Sequence, residues 1–182
     1  HVIEPIRILD KETVSRFLPP YTPQVRLHPD KPVTMGCFAM PNLFTEAKKA
    51  QQEALRASMP TILKAFEEWG RLTGRYYHPI ERYKNEGAEV LFITMGSFGE
   101  TASVAVDELQ ARGKSVGLVK IRLWRPFPYD EFRRAVAGAK VLIVLDRAIS
   151  YGGPGGPVAS EIRSVLYDEP ARPRIVNLVA GL

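Results

Sequence analysis

Apolar and polar positions follow two different rhythms along this chain, and the change falls near Gly87. Beyond it the pattern is regular. Val90-Leu91-Phe92-Ile93-Thr94-Met95 is a nearly continuous apolar run, which predicts a strand covered on both faces. In Ser97-Phe98-Gly99-Glu100, a hydroxyl and a carboxylate stand three residues apart. That capping-box spacing predicts a helix running to about Ala111 and ended by Gly113. Val116–Leu123 reads as a second strand. Pro128, Asp130 and Glu131 suit the first turn of a helix that passes Phe132 and Val136 and stops at Gly138. Val141–Leu145 is a third strand. A glycine–proline loop, Gly152 to Pro157, leads into a helix carrying Val158, Ile162, Val165 and Leu166. Arg174–Val179 makes the fourth strand. The alternation βαβαβαβ predicts an α/β domain over residues 88–182, with a mainly parallel sheet sandwiched by helices.

Before Gly87 the rhythm is broken. Pro19, Pro20, Pro23, Pro29, Pro32 and Pro41 each fix φ and remove a backbone donor, so residues 19–43 predict extended structure after a short helix capped by Asp10. Residues 1–44 therefore read as a proline-rich arm, laid across a neighbouring domain because it buries little of itself. Residues 45–73 read as helix, with Leu55, Met59, Ile62, Leu63, Phe66 and Trp69 on one face. Pro60 predicts a kink or a break into two helices. Arg75–Gly87 is expected to be a tyrosine-rich connector, so that 45–87 forms a helical segment and connector between arm and α/β domain.

Composition narrows the classes. The 182 residues carry 45% hydrophobic and 25% charged side chains, the balance of a globular protein. No run of eighteen apolar residues and no secretory leader is seen, which gives a cytoplasmic expectation. The net charge of +5 is spread thinly: residues 1–87 hold 13 basic and 10 acidic side chains, leaving 12 and 10 for residues 88–182. No basic stripe with stacking aromatics marks a nucleic-acid footprint. A single cysteine, Cys37, holds neither a disulfide nor an iron–sulfur cluster, which takes four thiolates. His1, His28 and His78 lack metal-ligand spacing.

Three places carry candidate chemistry. The loop Gly152-Gly153-Pro154-Gly155-Gly156-Pro157 precedes a helix whose N-terminal amides suit a phosphate, which makes Gly153, Gly155 and Gly156 weak cofactor-binding candidates. However, its spacing matches neither a dinucleotide fingerprint nor a P-loop, and its prolines remove amides, so a tight turn is the preferred reading. Ser97, in Gly96-Ser97-Phe98-Gly99-Glu100-Thr101, lies at the C-terminal end of the first strand, where open α/β sheets bind ligands; capping accounts for it without one. Arg122, Arg125 and Arg147 fall at or just beyond strand ends. They suit either an anionic partner or surface pairing with acids such as Asp146. No catalytic triad, reactive thiol or paired-carboxylate site can be assembled.

Several segments together resemble one family. Val119-Lys120-Ile121-Arg122-Leu123-Trp124-Arg125-Pro126-Phe127-Pro128, Val144-Leu145-Asp146-Arg147-Ala148-Ile149-Ser150 and the Gly152–Pro157 loop are similar to the C-terminal domain of 2-oxoacid:ferredoxin oxidoreductase α subunits. Gly96-Ser97 with Glu100-Thr101 fits that family's first strand-to-helix turn, and Leu18-Pro19-Pro20-Tyr21, Pro29-Asp30 and Gly36 fit its inter-domain stretch. The resemblance implies a transketolase C-terminal-like fold. It also implies membership of a thiamine-diphosphate enzyme that cleaves a 2-oxoacid such as pyruvate, transfers the acyl group to coenzyme A and passes electrons through iron–sulfur clusters to ferredoxin or flavodoxin. In that family the pyrimidine-side thiamine contacts belong to a preceding domain, and the diphosphate, its Mg2+ and the clusters sit largely on partner subunits. The expectation is therefore a fragment with no catalytic residue and no cofactor of its own. Arg122, Arg125, Phe127 and Arg147 would contact neighbouring domains or β, γ and δ-type subunits. Two alternatives stay open: the C-terminal part of a 2-oxoacid dehydrogenase E1 β chain or another transketolase-like enzyme, and a stand-alone nucleotide-binding regulatory module using the glycine loop.

Overall fold

The computed structural model describes residues 8–36 and 38–181, so Cys37 and His1 lie outside the described residues. The chain divides into two compact units, His1–Glu46 and Ala47–Leu182.

In the first unit, helix α1 (Lys11–Phe17) starts where expected. Asp10 caps it, its carboxylate accepting from the Thr13 amide at 2.8 Å and from the Thr13 hydroxyl at 2.8 Å. The described residues that follow, up to Met40, form no helix or strand, and they expose large apolar side chains, Tyr21 at 89% and Phe38 at 85%.

Helix α2 (Pro41–Ala57) crosses into the second unit, and helix α3 (Met59–Thr73) begins one residue after it ends. The break falls at Ser58 because Pro60 lacks the N–H that a continuous helix would bond to residue 56; proline instead sits in the first turn of α3, where no donor is needed. Gly74, at φ 72°, closes α3, and Gly70 lets Tyr76 fold back onto the helix where a Cβ would collide with its ring.

Five strands form one sheet: β1 (Ile80–Tyr83), β2 (Val90–Met95), β3 (Val116–Ile121), β4 (Val141–Asp146) and β5 (Arg174–Val179), in the order β1-β3-β2-β4-β5. Strands β2 to β5 are parallel, as the alternation predicts. Strand β1 corrects the sequence reading. Residues 75–87 are not only a connector, because Ile80–Tyr83 pairs antiparallel with β3, Ile80 opposite Ile121 and Tyr83 opposite Leu118. With neighbours on both sides, all six residues of β3 are buried.

Helices α4 (Phe98–Ala111), α5 (Tyr129–Val136) and α6 (Pro157–Val165) complete the domain. The pleat divides the apolar side chains between two faces. Leu91, Ile93, Leu142 and Val144 join Phe132, Val136, Val158, Ile162 and Val165 in the larger core, on the face carrying α5 and α6. Val90, Phe92 and Leu118 join Ala102 and Val106 of α4 on the other face. Fully burying one such aliphatic side chain contributes roughly 1.5–3 kcal/mol. On the α4 face, Val141, Ile143, Leu145 and Val176 remain half-buried and Leu178 is 48% exposed.

Candidate functional site at the C-terminal edge of the sheet

After β2 the chain moves to one side of it for β3, then to the other for β4 and β5. The direction of winding thus reverses between β2 and β4, and the turns after those strands flank the crevice where open α/β sheets take ligands. Ser97, Arg147 and the glycine loop all belong to these turns.

The glycine loop is wired from below. Asp146 ends β4 with its side chain on the α6 face, 1% exposed, and accepts from the amides of Val158 at 2.9 Å and Ala159 at 3.1 Å. Asn177 on β5 donates its Nδ2 to Asp146 at 2.9 Å and accepts from the Gly156 amide at 2.7 Å. The positive end of α6 therefore holds an anion of its own, the Asp146 carboxylate. Gly155, at φ 138°, lies where a Cβ would strike Asn177, and a Cβ on Gly156 would strike Asp146. Gly153 closes a tight turn by donating to the Ser150 carbonyl at 2.9 Å, and Ser150 donates to Gly155 at 3.1 Å. Turn geometry and close approach account for all three glycines. Asp146 is accordingly no surface partner for arginine: it is the buried cap of α6.

Ser97 does not form the expected capping box. It sits in helical geometry at φ −60° and ψ −22°, which aims its hydroxyl away from the amides, and it makes no side-chain cap. Glu100 reaches Lys120 instead, at 3.0 Å. Ser97 lines a cleft of about 590 Å3 with Gly96, Glu100, Lys120, Arg122 and Tyr77.

Lys120 is the residue that sequence reasoning passed over. It is 8% exposed, and its amine meets Glu81 of β1 at 3.4 Å as well as Glu100 of α4. Gly99 makes room for it, since a Cβ there would come within 2.8 Å of the Lys120 Cδ. Glu81 also accepts from Arg122, Nε at 2.9 Å and Nη2. Burial pushes the Glu81 carboxyl up, but the Arg122 hydrogen bonds and charge, with Lys120, outweigh it and hold the group below its ordinary value. Both cations are met by carboxylates, so the network clamps β1, β3 and α4 together. A lysine inside the apolar strand Val116–Ile121 was the sequence signal for it.

The three arginines have no partner in common. Each stacks instead on its own aromatic ring: Arg122 on Tyr77 at 4.6 Å, Arg125 on Trp124 at 4.5 Å and Arg147 on Phe98 at 5.2 Å. Arg122 pairs with Glu81 and Arg125 with Glu161 at 3.0 Å, whereas Arg147, among the described residues, donates only to the Gly181 carbonyl, at 3.2 Å. Phe127 corrects the expected contact set. At 4% exposure it is a core residue, packed edge-on against Trp124, Tyr129 and Phe132 at ring separations of 5.7, 5.3 and 5.6 Å. Its apolar ring is satisfied inside the domain. Among the described residues, no group of His, Cys, Asp and Glu is placed to hold a metal ion, and no helix is long and apolar enough to cross a membrane.

Residues 88–182 match the family described as pyruvate:ferredoxin oxidoreductase core domain II. Pyruvate synthase subunit PorA of Methanothermobacter thermautotrophicus is 39% identical over 178 residues, 98% of this chain and 46% of that protein. The PorA subunit of Pyrococcus horikoshii is 38% identical over 183 residues, 100% of this chain and 46% of that protein. The chain thus spans about half the length of these curated relatives. Among solved structures, a 2-oxoglutarate:ferredoxin oxidoreductase from Magnetococcus marinus aligns with 67% of this chain and 20% of its own, at 23% identity and a TM-score of 0.43.

Proposed function

Because the chain belongs to the pyruvate:ferredoxin oxidoreductase core domain II family, we propose that it is the non-catalytic structural and subunit-contact portion of a thiamine-diphosphate-dependent 2-oxoacid:ferredoxin oxidoreductase. The observation that carries this reading is the likeness to pyruvate synthase subunits along 98–100% of the chain. In the complete cytoplasmic enzyme, pyruvate and coenzyme A become acyl-CoA and carbon dioxide, and two electrons leave through iron–sulfur clusters to ferredoxin or flavodoxin. Such a cofactor supplies the carbanion chemistry while protein supplies orientation and electrostatics.

The residues of this chain do not fit thiamine diphosphate. The α6 amides that would suit a diphosphate are taken by Asp146, and Lys120 and Arg122 are already met by Glu81 and Glu100. We therefore assign no chemical step to it. The role left to the domain is to hold its C-terminal edge rigid against β, γ and δ-type subunits or domains, with Arg122, Arg125 and Arg147 at that contact. The core position of Phe127 leaves it a supporting part, behind Trp124.

Calorimetric titration of the purified chain with magnesium thiamine diphosphate, then coenzyme A, then adenine nucleotides tests this reading. Silence in all three is expected, together with pyruvate-dependent ferredoxin reduction once the preceding half of the α subunit and the remaining subunits are added. Saturable binding of any of them by the chain alone would overturn the non-catalytic assignment, and binding of an adenine nucleotide would favour a regulatory module.

A further inference from the structure

Three stacked arginines stand on the C-terminal edge, and two of them have a carboxylate partner within the domain. Arg147 is the exception: among the described residues it has no acid, only the Phe98 ring and the Gly181 carbonyl. An exposed guanidinium ordered over an aromatic face has lost part of its rotamer freedom before any partner arrives.

Its surroundings have the composition of an interface centre. On the same loop, Ile149 is 46% exposed and Tyr151 is 95% exposed. Tyr151 is not carried on a loose loop. The Ser150–Gly155 and Gly153–Ser150 hydrogen bonds close the turn on which it sits, and Asp146 and Asn177 anchor the turn to the sheet. Arginine and tyrosine held in this way are the side chains that dominate binding energy in protein interfaces.

The Phe98 ring continues the patch. It lines an apolar groove of about 250 Å3, walled also by Phe92, Ala105, Leu145 and Ala180. The groove opens on the half-covered α4 face of β4. Ala180 adjoins Gly181, the residue that holds Arg147, so guanidinium and groove are neighbours.

We propose that Arg147, Tyr151 and the Phe98 groove form one docking surface for a protein segment of the partner subunits that presents an apolar side chain to the groove and a carboxylate to Arg147. The proposal rests on the subunit-contact reading above and names where and by what chemistry the contact is made. Charge complementarity selects the occupant: the acid that Arg122 and Arg125 find internally, Arg147 must find elsewhere. A groove without that cation beside it would accept any apolar segment, whereas this one discriminates for an adjacent acid.

Nitration of tyrosines by tetranitromethane, mapped by peptide mass, reads the surface directly. Tyr151 should react readily in this chain alone and at least about tenfold more slowly in the complete enzyme. In parallel, Arg147→Glu and Tyr151→Ala, made in the complete subunit that contains this chain, should weaken assembly with the remaining subunits by about tenfold or more, measured by sedimentation. Lys114→Glu, an equal charge change at an exposed turn elsewhere, should leave assembly unchanged. If the complete enzyme assembles and reduces ferredoxin while Tyr151 nitrates as fast as in the free chain, the docking surface is wrong and the proposed function stands. Should the complete wild-type subunit fail to assemble at all, both readings fall together.

Discussion

Gly156 stands directly against the side chain of Asp146, so closely that a Cβ added to the glycine would overlap the carboxyl group. Its φ of −78° is open to any residue, which makes this a steric requirement and not a conformational one. Gly156→Ala must push Asp146 off the first turn of α6, and we expect a loss of about 1–3 kcal/mol in denaturant unfolding. Gly152 has φ 71° but open space around it. Gly152→Ala should cost only about 1 kcal/mol, and an equal effect at both positions would refute the steric account.

Asp146 and Asn177 act as one unit. Asp146→Ala leaves the Val158 and Ala159 amides without their acceptor and costs Asn177 one of its own, while its Nδ2 keeps the Val144 carbonyl, a loss of about 2–4 kcal/mol. Asn177→Ala removes the donor to Asp146 and the acceptor for Gly156. The two losses should fall short of additivity by at least about 0.5 kcal/mol when both are made, as a double-mutant cycle of unfolding free energies would measure.

The Glu81 carboxyl predicts an acid limb in the stability curve. Its folded pKa lies below the unfolded value, so its contribution is complete above about pH 4.3 and is lost as the pH falls through the folded value. Thermal unfolding followed from neutral pH to about pH 3 should show Glu81→Gln with a shallower acid decline than wild type. Parallel curves would mean that the Arg122 and Lys120 contacts do not bias this carboxyl.

Lys120 tests the difference between a charge and its stem. Lys120→Met keeps the methylenes that run beside Gly99, leaves Glu81 bonded to Arg122 and releases a Glu100 side chain that is already 77% exposed. It should lie within about 1 kcal/mol of wild type, because the hydrophobic replacement removes a desolvation cost along with the ion pairs. Gly99→Ala drives the stem from its channel and should destabilise more. The reverse order in urea midpoints would show the charge to be the larger contribution.

The parallel strands and their helices could be read from the chain because each is set by local pattern, apolar runs such as Val141–Leu145 and stops such as Gly113 and Gly138. Strand β1 could not. Ile80-Glu81-Arg82-Tyr83 has two charges in four residues, and its place is decided by pairing with a strand some forty positions later. The capping box failed for the same reason: spacing allowed Ser97 and Glu100 to serve each other, but a lysine on β3 offered Glu100 a stronger partner. Asp146 next to Arg147 looked like a surface pair, and only the pleat, which turns the two side chains to opposite faces, separates a buried cap from an exposed cation. The family resemblance, by contrast, was legible from order and spacing of motifs that are individually weak.

The early position of β1 has a practical consequence. The matched stretch begins at residue 88, after Tyr83, so a molecule trimmed to that stretch gives up its antiparallel guard strand. The edge of β3 that β1 covers, Leu118 to Ile121, would then be bared on that side. Such fragments should recruit one another edge to edge and come out of solution as aggregates, whereas cuts made ahead of Ile80 keep the border of the sheet closed.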